Sequence, residues 1–520
     1  MSNFSQTQSI RKSVVKSTGG IVAAQHRRAS EAGAKVLAEG GNAIDAAIAT
    51  SFAMGVVEPW MSGPGGGGYM VVHMAKENTT KVIDFGMRSP CSLDPADYPL
   101  SGGKSSDLFP WPAVVEDRNV SGGKSIAVPG VVEGMRLALE TFGTGNWKDL
   151  LQPAIGLARE GLLVDWYAQL LISSVASDLA RFPKSKQTFL KENGYPKASA
   201  WTALNQERAD MSSMAETLSG LAENGPRWFY EGELAKSIVA DVAALGGYVS
   251  EEDLASYQAS LTDCMEIDYA GGKVYLTPEL TAGPTMARAY RNLPRSCVAG
   301  TGPTAETFVG YAESLLEAYS DRLERMGDVE GRRGDTCTTH FNVVDRDGNM
   351  VAVTQTLLSA FGSKVMLPQS GLMMNNGVMW FDPEPGKPNS IGPDRKCLTN
   401  MCPVIGEIDG TMFAMGASGG RKILPAVAQL TSFVMDFGMS LEDAFHAPRI
   451  DVSGTETVIA DDTLPADVIE ALQAKFNCVV APRTVFPYNF ACPSAVARKG
   501  DVNEGMTEIM SPWGDAIAQA

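Results

Sequence analysis

The sequence predicts one large α/β unit, helix-rich over its first two-thirds and strand-rich over its last third. Three observations carry that expectation. Helical-period apolar positions dominate up to about residue 326. After Thr338 the pattern turns to short alternating strands. No Pro/Ser linker and no low-complexity run separates the two textures, so both parts share one core. Length alone, 520 residues, would allow roughly three domains.

The elements follow in order. Residues 30–57 read as helix, with Ser30 as N-cap, a break at Gly40-Gly41 and a second apolar helix from Asn42 to about Val57. A glycine run, Gly63 to Gly68, leads into a buried strand at Tyr69–Val72, with Lys81–Phe85 as its hairpin partner. Residues 95–125 are loop-rich. Helices resume at 130–142, 147–160 and 165–180, and again over 230–260 with a Gly246-Gly247 break. A strand is expected at 273–276. Residues 304–326 form a long amphipathic helix with Leu315, Leu316, Tyr319 and Leu323 on one face. Strands then cover 339–345, 349–356, 371–375, 403–408 and 411–416, with helices at 423–437, 441–446 and 464–475.

Composition narrows the function. Charged residues are 20% and hydrophobic ones 44% of the chain, an ordinary globular balance. The net charge of -17 argues against nucleic acid and anionic membrane surfaces as partners. No stretch approaches the ~18 apolar residues of a membrane span. The first residues, Met1 to Gln6, show no apolar signal region, so a cytoplasmic location is expected. The eight cysteines are scattered without a CxxC pair, and Cys397 and Cys402 read as packing residues. The four histidines form no HxxxH or HExxH spacing, so neither a metal nor a His-dependent triad is expected. No cofactor is expected either.

Two glycine motifs mislead. Gly63 to Gly68 fits G-x-G-x-x-G, with Asp84 downstream. Dinucleotide binding needs strand, loop, then helix, whereas here the order is helix, loop, strand. A loop that lets backbone approach backbone or ligand is the plainer reading. The runs at Gly102-Gly103-Lys104-Ser105 and Gly122-Gly123-Lys124-Ser125 suggest a phosphate loop. The required upstream glycines are Tyr98 and Arg118, so both fail and read as surface turns.

Thr338 stands in Asp335-Thr336-Cys337-Thr338-Thr339-His340, just before an alternating strand. A threonine there fits ordinary strand entry, since β-branched residues favour strands. It also fits a nucleophile. Cutting Cys337-Thr338 would place a hydroxyl and a free α-amine on one residue, and the amine, with an ordinary pKa of about 7.7–8.0, can act as the base. Downstream, Gly416-Ala417-Ser418-Gly419-Gly420 joins a strand to an apolar helix. Such a turn can aim two N–H groups at a developing oxyanion, or can simply be tight.

Several linked motifs are similar to those of the γ-glutamyltranspeptidase family of N-terminal-nucleophile hydrolases. They are Gly40-Gly41-Asn42-Ala43-Ile44-Asp45-Ala46-Ala47, Val57-Glu58-Pro59, Gly65 to Met70, Ala127 to Gly134, Leu151 to Ile155 and Glu317 to Arg322. Thr338-Thr339-His340-Phe341, Asp347-Gly348-Asn349, Asn375-Asn376, Gly419-Gly420 and Ala447-Pro448-Arg449-Ile450 follow in family order. The resemblance implies a four-layer αββα sandwich and self-cleavage into 1–337 and 338–520, held together as a heterodimer; a dimer of heterodimers is a further assembly it leaves open. Thr338 would be the nucleophile, Thr356 the threonine that orients it, and Gly419 and Gly420 the oxyanion hole.

The family's substrate pocket is not fully reproduced. Its arginine for the substrate carboxylate follows an Asp-Phe pair directly; here Arg88 comes two residues after Asp84-Phe85-Gly86. A family Ser-Ser pair is Thr399-Asn400, and Asn376 keeps its place. The acid that would meet the substrate ammonium aligns with Trp380, and a nearby family asparagine with Leu358. Asp382 could compensate if the loop shifts register. The expectation is therefore an amide hydrolase for a small carboxylate-bearing substrate. The alternatives are an ordinary γ-glutamyltransferase and an uncleaved binding relative.

Overall fold

A computed structural model of the chain describes residues 7, 9–104, 112–200, 202, 204, 206–326, 337–453, 457–486 and 488–519. Residues 1–6, 105 and 335–336, read above in the sequence, lie outside these, as does the side chain of Leu323. The strands of two large antiparallel sheets are numbered here in chain order. They are β1 (Val15–Ser17), β2 (Ile21–Ala24), β3 (Gly67–Met74), β4 (Thr79–Phe85), β5 (Ser260–Asp263), β6 (Met265–Tyr269) and β7 (Gly272–Leu276). They continue as β8 (Cys337–Val344), β9 (Met350–Leu358), β10 (Val404–Ile408), β11 (Thr411–Ser418), β12 (Cys492–Lys499), β13 (Val502–Thr507) and β14 (Asp515–Ala518). One sheet runs β1-β13-β12-β11-β10-β7-β6 and the other β14-β2-β8-β9-β3-β4-β5.

The layering follows from the two-residue period of strands. Val22, Val72, Phe341, Val343, Val351 and Val353 face one core, beneath helices α1 (Arg27–Ala38) and α2 (Ala43–Val57). Their neighbours Ile21, Ala23, Val71, Val344, Met350 and Ala352 face the other way, against Ile405, Ala414 and Val496 of the opposite sheet. The outward face of that sheet, with Val274, Val404, Phe413, Met415 and Ala495, packs under α3 (Gly283–Asn292), α4 (Ala305–Met326) and α5 (Ile423–Met435). Helix, sheet, sheet, helix is the expected αββα sandwich, and the helix-rich and strand-rich parts do share it.

Several expectations shift. Helix α1 begins at Arg27, with His26 as N-cap accepting from Arg28 N at 3.1 Å. Ser30 lies inside the helix, where its hydroxyl donates to Asp515 O at 2.8 Å and so ties the helix to β14. Among the described residues, 371–375 form isolated bridges, Gly65 with Met374 and Met366 with Met373, with no neighbouring strand to continue the ladder. The second Gly-Gly-Lys-Ser run is no surface turn: Gly123 and Ser125 are buried, and a Cβ at Gly123 would lie 2.5 Å from Leu245 O. Cys397 and Cys402 are buried free thiols, as expected.

The glycine loop behaves as the plainer reading had it. A Cβ at Gly66 would meet Thr356 O at 2.3 Å, and one at Gly68 would meet Thr354 O at 2.3 Å. The glycines let β3 lie against β9.

Two ionisable groups sit deep in this core. His340 projects between the sheets; Thr354 Oγ1 lies 2.8 Å from its Nδ1 and Asn342 Oδ1 lies 3.1 Å from its Nε2. Because Asn342 Oδ1 can only accept, Nε2 carries the proton. Burial pushes its pKa down to about 3, partly offset by the Asn342 bond, so the ring stays neutral. Glu58, the C-cap of α2, is buried at 3% exposure. Burial, with Asp165 adding to it and the Thr339 bond opposing it, pushes its carboxyl up from 4.5 to about 8.

Two outcomes follow from these contacts. A Cβ at Gly416 on β11 would lie 2.2 Å from His340 Cε1. Gly416→Ala should therefore cost about 1–3 kcal/mol in denaturant unfolding, as overpacked cores do. For Glu58, the folded state holds a proton that the unfolded state releases between the ordinary value of 4.5 and about 8. Stability thus falls as pH rises through that window. Glu58→Gln should remove the slope, gaining on wild type steadily from about pH 5 to about pH 8 in urea titrations; parallel curves would refute the assignment.

Candidate active site

Thr338 is the second residue of β8, the strand that pairs antiparallel with β9. The pairing carries a register shift between Cys337 and Thr339: Cys337 opposes Leu358, while Thr339 opposes Gln355. The irregularity therefore falls at Thr338, which alone on β8 spans the step that Thr356 and Leu357 span on β9. Thr338 is 4% exposed, and its Oγ1 donates to Thr356 Oγ1 at 3.4 Å. Thr356 is oriented in turn: Leu358 N donates to its Oγ1 at 2.8 Å. Leu358 makes that bond with φ +89°, a conformation unusual for a branched side chain and of the kind that clusters at functional sites.

The Gly419-Gly420 turn follows β11, which packs across β8. Gly419 has φ +130° and Gly420 φ +58°, so this turn needs residues without a Cβ. A Cβ at Gly419 would lie 3.1 Å from Ala491 Cα and 3.2 Å from Tyr488 Cε1. Lys422 N donates to Gly419 O at 3.1 Å and closes the turn.

The other sequence-predicted residues divide. Asn376 is fully buried in the scaffold behind Thr356: Oδ1 accepts from Ser359 N at 3.1 Å, and Nδ2 donates to Val120 O and Ser359 Oγ, each at 2.9 Å. Thr399 and Asn400 are held by Arg322 of α4, whose Nη2 donates to Thr399 O at 2.6 Å and reaches Asn400 Oδ1 at 3.5 Å. Arg88 is partly exposed and engages Asp394 at 2.6 Å. Its backbone bridges Lys396, whose ammonium pairs with Asp84 at 2.5 Å. Trp380 and Leu358 lie in one buried apolar cluster with Met87, Met379 and Met401. The Asp382 carboxylate accepts from Glu384 N at 2.8 Å and so caps its own turn.

Sequence reasoning missed Gln25, Glu58, Lys396 and Tyr488. Lys396 offered only its charge. Gln25 and Tyr488 stand in unremarkable local contexts, and only the fold brings them to Ser418. Glu58 was visible inside a motif without a role. Among the described residues no cluster of His, Cys, Asp and Glu could hold a metal ion.

Comparison with known proteins fits this arrangement. The model of the family described as gamma-glutamyltranspeptidase matches residues 29–335 and 330–511. A glutathione hydrolase proenzyme of Bacillus subtilis is 30% identical, with 87% of this chain and 84% of that protein covered. An acylase proenzyme, ACY 1, of a Pseudomonas species is 32% identical, with 89% of this chain and 88% of that protein covered. The crystal structure of cephalosporin acylase from Bacillus halodurans superposes with a TM-score of 0.85 at 25% identity, with 99% of this chain and 98% of that chain covered. Motif order, sandwich, paired threonines and these matches converge: the chain belongs to the gamma-glutamyltranspeptidase family and is an amide hydrolase of the N-terminal-nucleophile class.

Proposed function

We propose that the chain cleaves itself at Cys337-Thr338 and then hydrolyses an amide of a small carboxylate-bearing substrate through an acyl-enzyme on Thr338. The observation that carries this is the Thr338–Thr356 hydroxyl contact at 3.4 Å, on a hairpin whose register slips at Thr338. In maturation, Thr338 Oγ1 attacks the Cys337 carbonyl carbon. The C–N bond breaks, the proton passes to the departing nitrogen, and an ester links the two residues. Water hydrolyses the ester, leaving a carboxylate on Cys337 and a hydroxyl with a free α-amine on Thr338. Residues 1–337 and 338–520 then remain together as a heterodimer, since each contributes strands to both sheets.

In turnover the α-amine takes the Oγ1 proton as the oxygen attacks the substrate carbonyl. The Gly419 and Gly420 N–H groups receive the oxyanion. Collapse expels the amine with that proton, and water releases the acid.

The pocket residues favour an acyl group without an α-ammonium. Where the family resemblance places an acid, Trp380 contributes to an apolar cluster that Leu358 shares. Leaving a buried ammonium without partners costs several kcal/mol. Lys396 and Arg88, on adjoining backbone, can serve a substrate carboxylate, each by releasing its present acid. The rival reading, an ordinary glutathione hydrolase, rests on the comparable identity to the Bacillus subtilis protein, 30%.

Denaturing electrophoresis tests the first half: two bands with Thr338 at the new N-terminus are expected, and one uncut band for Thr338→Ala. A persistent single wild-type band refutes self-cleavage. For the second half, glutaryl p-nitroanilide should turn over at least about tenfold faster than its γ-glutamyl counterpart, the factor that 1.4 kcal/mol supplies. Equal or faster γ-glutamyl turnover would favour the rival.

A further inference from the structure

Gln25 follows β2, next to the nucleophile strand, and is 4% exposed. Its side-chain amide makes three hydrogen bonds to three different strands. Nε2 donates to Ser418 Oγ at 2.5 Å and to Cys492 O at 2.9 Å. Oε1 accepts from Thr339 Oγ1 at 3.1 Å. Thr339 adjoins the nucleophile, and Ser418 immediately precedes Gly419. Gln25 and Thr339 belong to one sheet's side of the sandwich, while Ser418 and Cys492 belong to the other sheet.

From this geometry we infer that Gln25 is a positioning residue, a clamp that sets the Gly419-Gly420 turn against Thr338. The inference rests on the proposed roles of those residues. Both Nε2 protons and the Oε1 acceptor are used, so no other side chain of similar size meets all three demands. Ser418 is steadied from its far side as well, its Oγ lying 3.0 Å from Tyr488 Oη, and Tyr488 in turn lies against Gly419. Thr339 leans on Glu58 at 3.4 Å. The clamp thus has backing on both sides, and Gln25 is the piece that spans the gap between the sheets. Oxyanion donors must lie within a few tenths of an ångström of their target, and a misplacement of about 1 Å can cost ~10²-fold in rate.

The test uses the self-cleaved protein and p-nitrophenyl acetate, a small activated ester that makes no demand on the substrate pocket. Wild type should release a burst of nitrophenolate that Thr338→Ala lacks. Gln25→Met, similar in size but without donors, should keep the burst amplitude and the melting temperature while slowing the burst ~10- to 100-fold. Ser418→Ala should slow it too, and the double variant should be little slower than the worse single one, because both break the same link. A Gln25→Met burst as fast as wild type overturns the clamp alone. Slowing accompanied by lost amplitude and a lowered melting temperature marks a general scaffold role and also overturns it, as do fully multiplicative effects. A wild type without any Thr338-dependent burst overturns the reading of the active site on which the clamp rests.

Discussion

The pairing of β8 with β9 is the constraint on which the rest of the molecule depends. Thr338 and Thr356 meet because these strands are adjacent and antiparallel, with the register slipped by one residue at Thr338. A slip further along would turn every side chain of β8 to the opposite face. His340 would then leave the space between the sheets, and Phe341 and Val343 would leave the helical core. The register is thus specified several times over by burial beyond the irregularity, and the irregularity itself lies at Thr338, the residue where chemistry is proposed.

The same hairpin explains why the interior can be polar. His340, Asn342, Thr354 and Ser494 form a buried chain joined through side-chain contacts of 2.8, 3.1 and 3.1 Å. Fully paired groups of this kind cost little to bury and specify one arrangement of the sheets. Gly416 keeps the opposite strand close enough for His340 to fit, and the neutral ring needs no counter-charge. A charged imidazole there would have to be solvated, so depression of its pKa is the electrostatic expression of the close sheet packing.

Much of this was legible in the sequence. The strand periodicities after Thr338, the long helix ending at Met326, and the order helix, glycine loop, strand around Gly63–Gly68 were all local patterns. So were Thr338 and the glycine pair after Ser418. Other features were not legible because they depend on distant partners. Ser30 has the chemistry of a cap, yet it bonds Asp515, 485 residues away. The Cβ-free space at Gly123 exists because Leu245 O passes there, and the 371–375 segment lacks a strand neighbour that no local pattern could reveal. Gln25 has no local signature at all, since its three partners are 314, 393 and 467 residues away.

The residues proposed for specificity and those proposed for attack separate in this architecture. The proposed attacking group, Thr338, and the threonine proposed to orient it, Thr356, sit on β8 and β9, strands inside a sheet. The pocket candidates sit on connecting segments: Arg88 after β4, Trp380 and Asp382 in the long crossover from β9 to β10, and Lys396 to Asn400 just before β10. Loops carried by a rigid scaffold can change without disturbing it. The exception is Leu358, which closes β9 and touches both functions. Its backbone N–H orients Thr356 while its side chain joins the apolar cluster with Trp380. Asparagine tolerates positive φ more readily than leucine. Leucine at φ +89° therefore accepts backbone strain where a polar alternative would ease it. The apolar side chain at that place suits the proposed pocket, in which keeping an ammonium out would matter more than relaxing one residue of backbone.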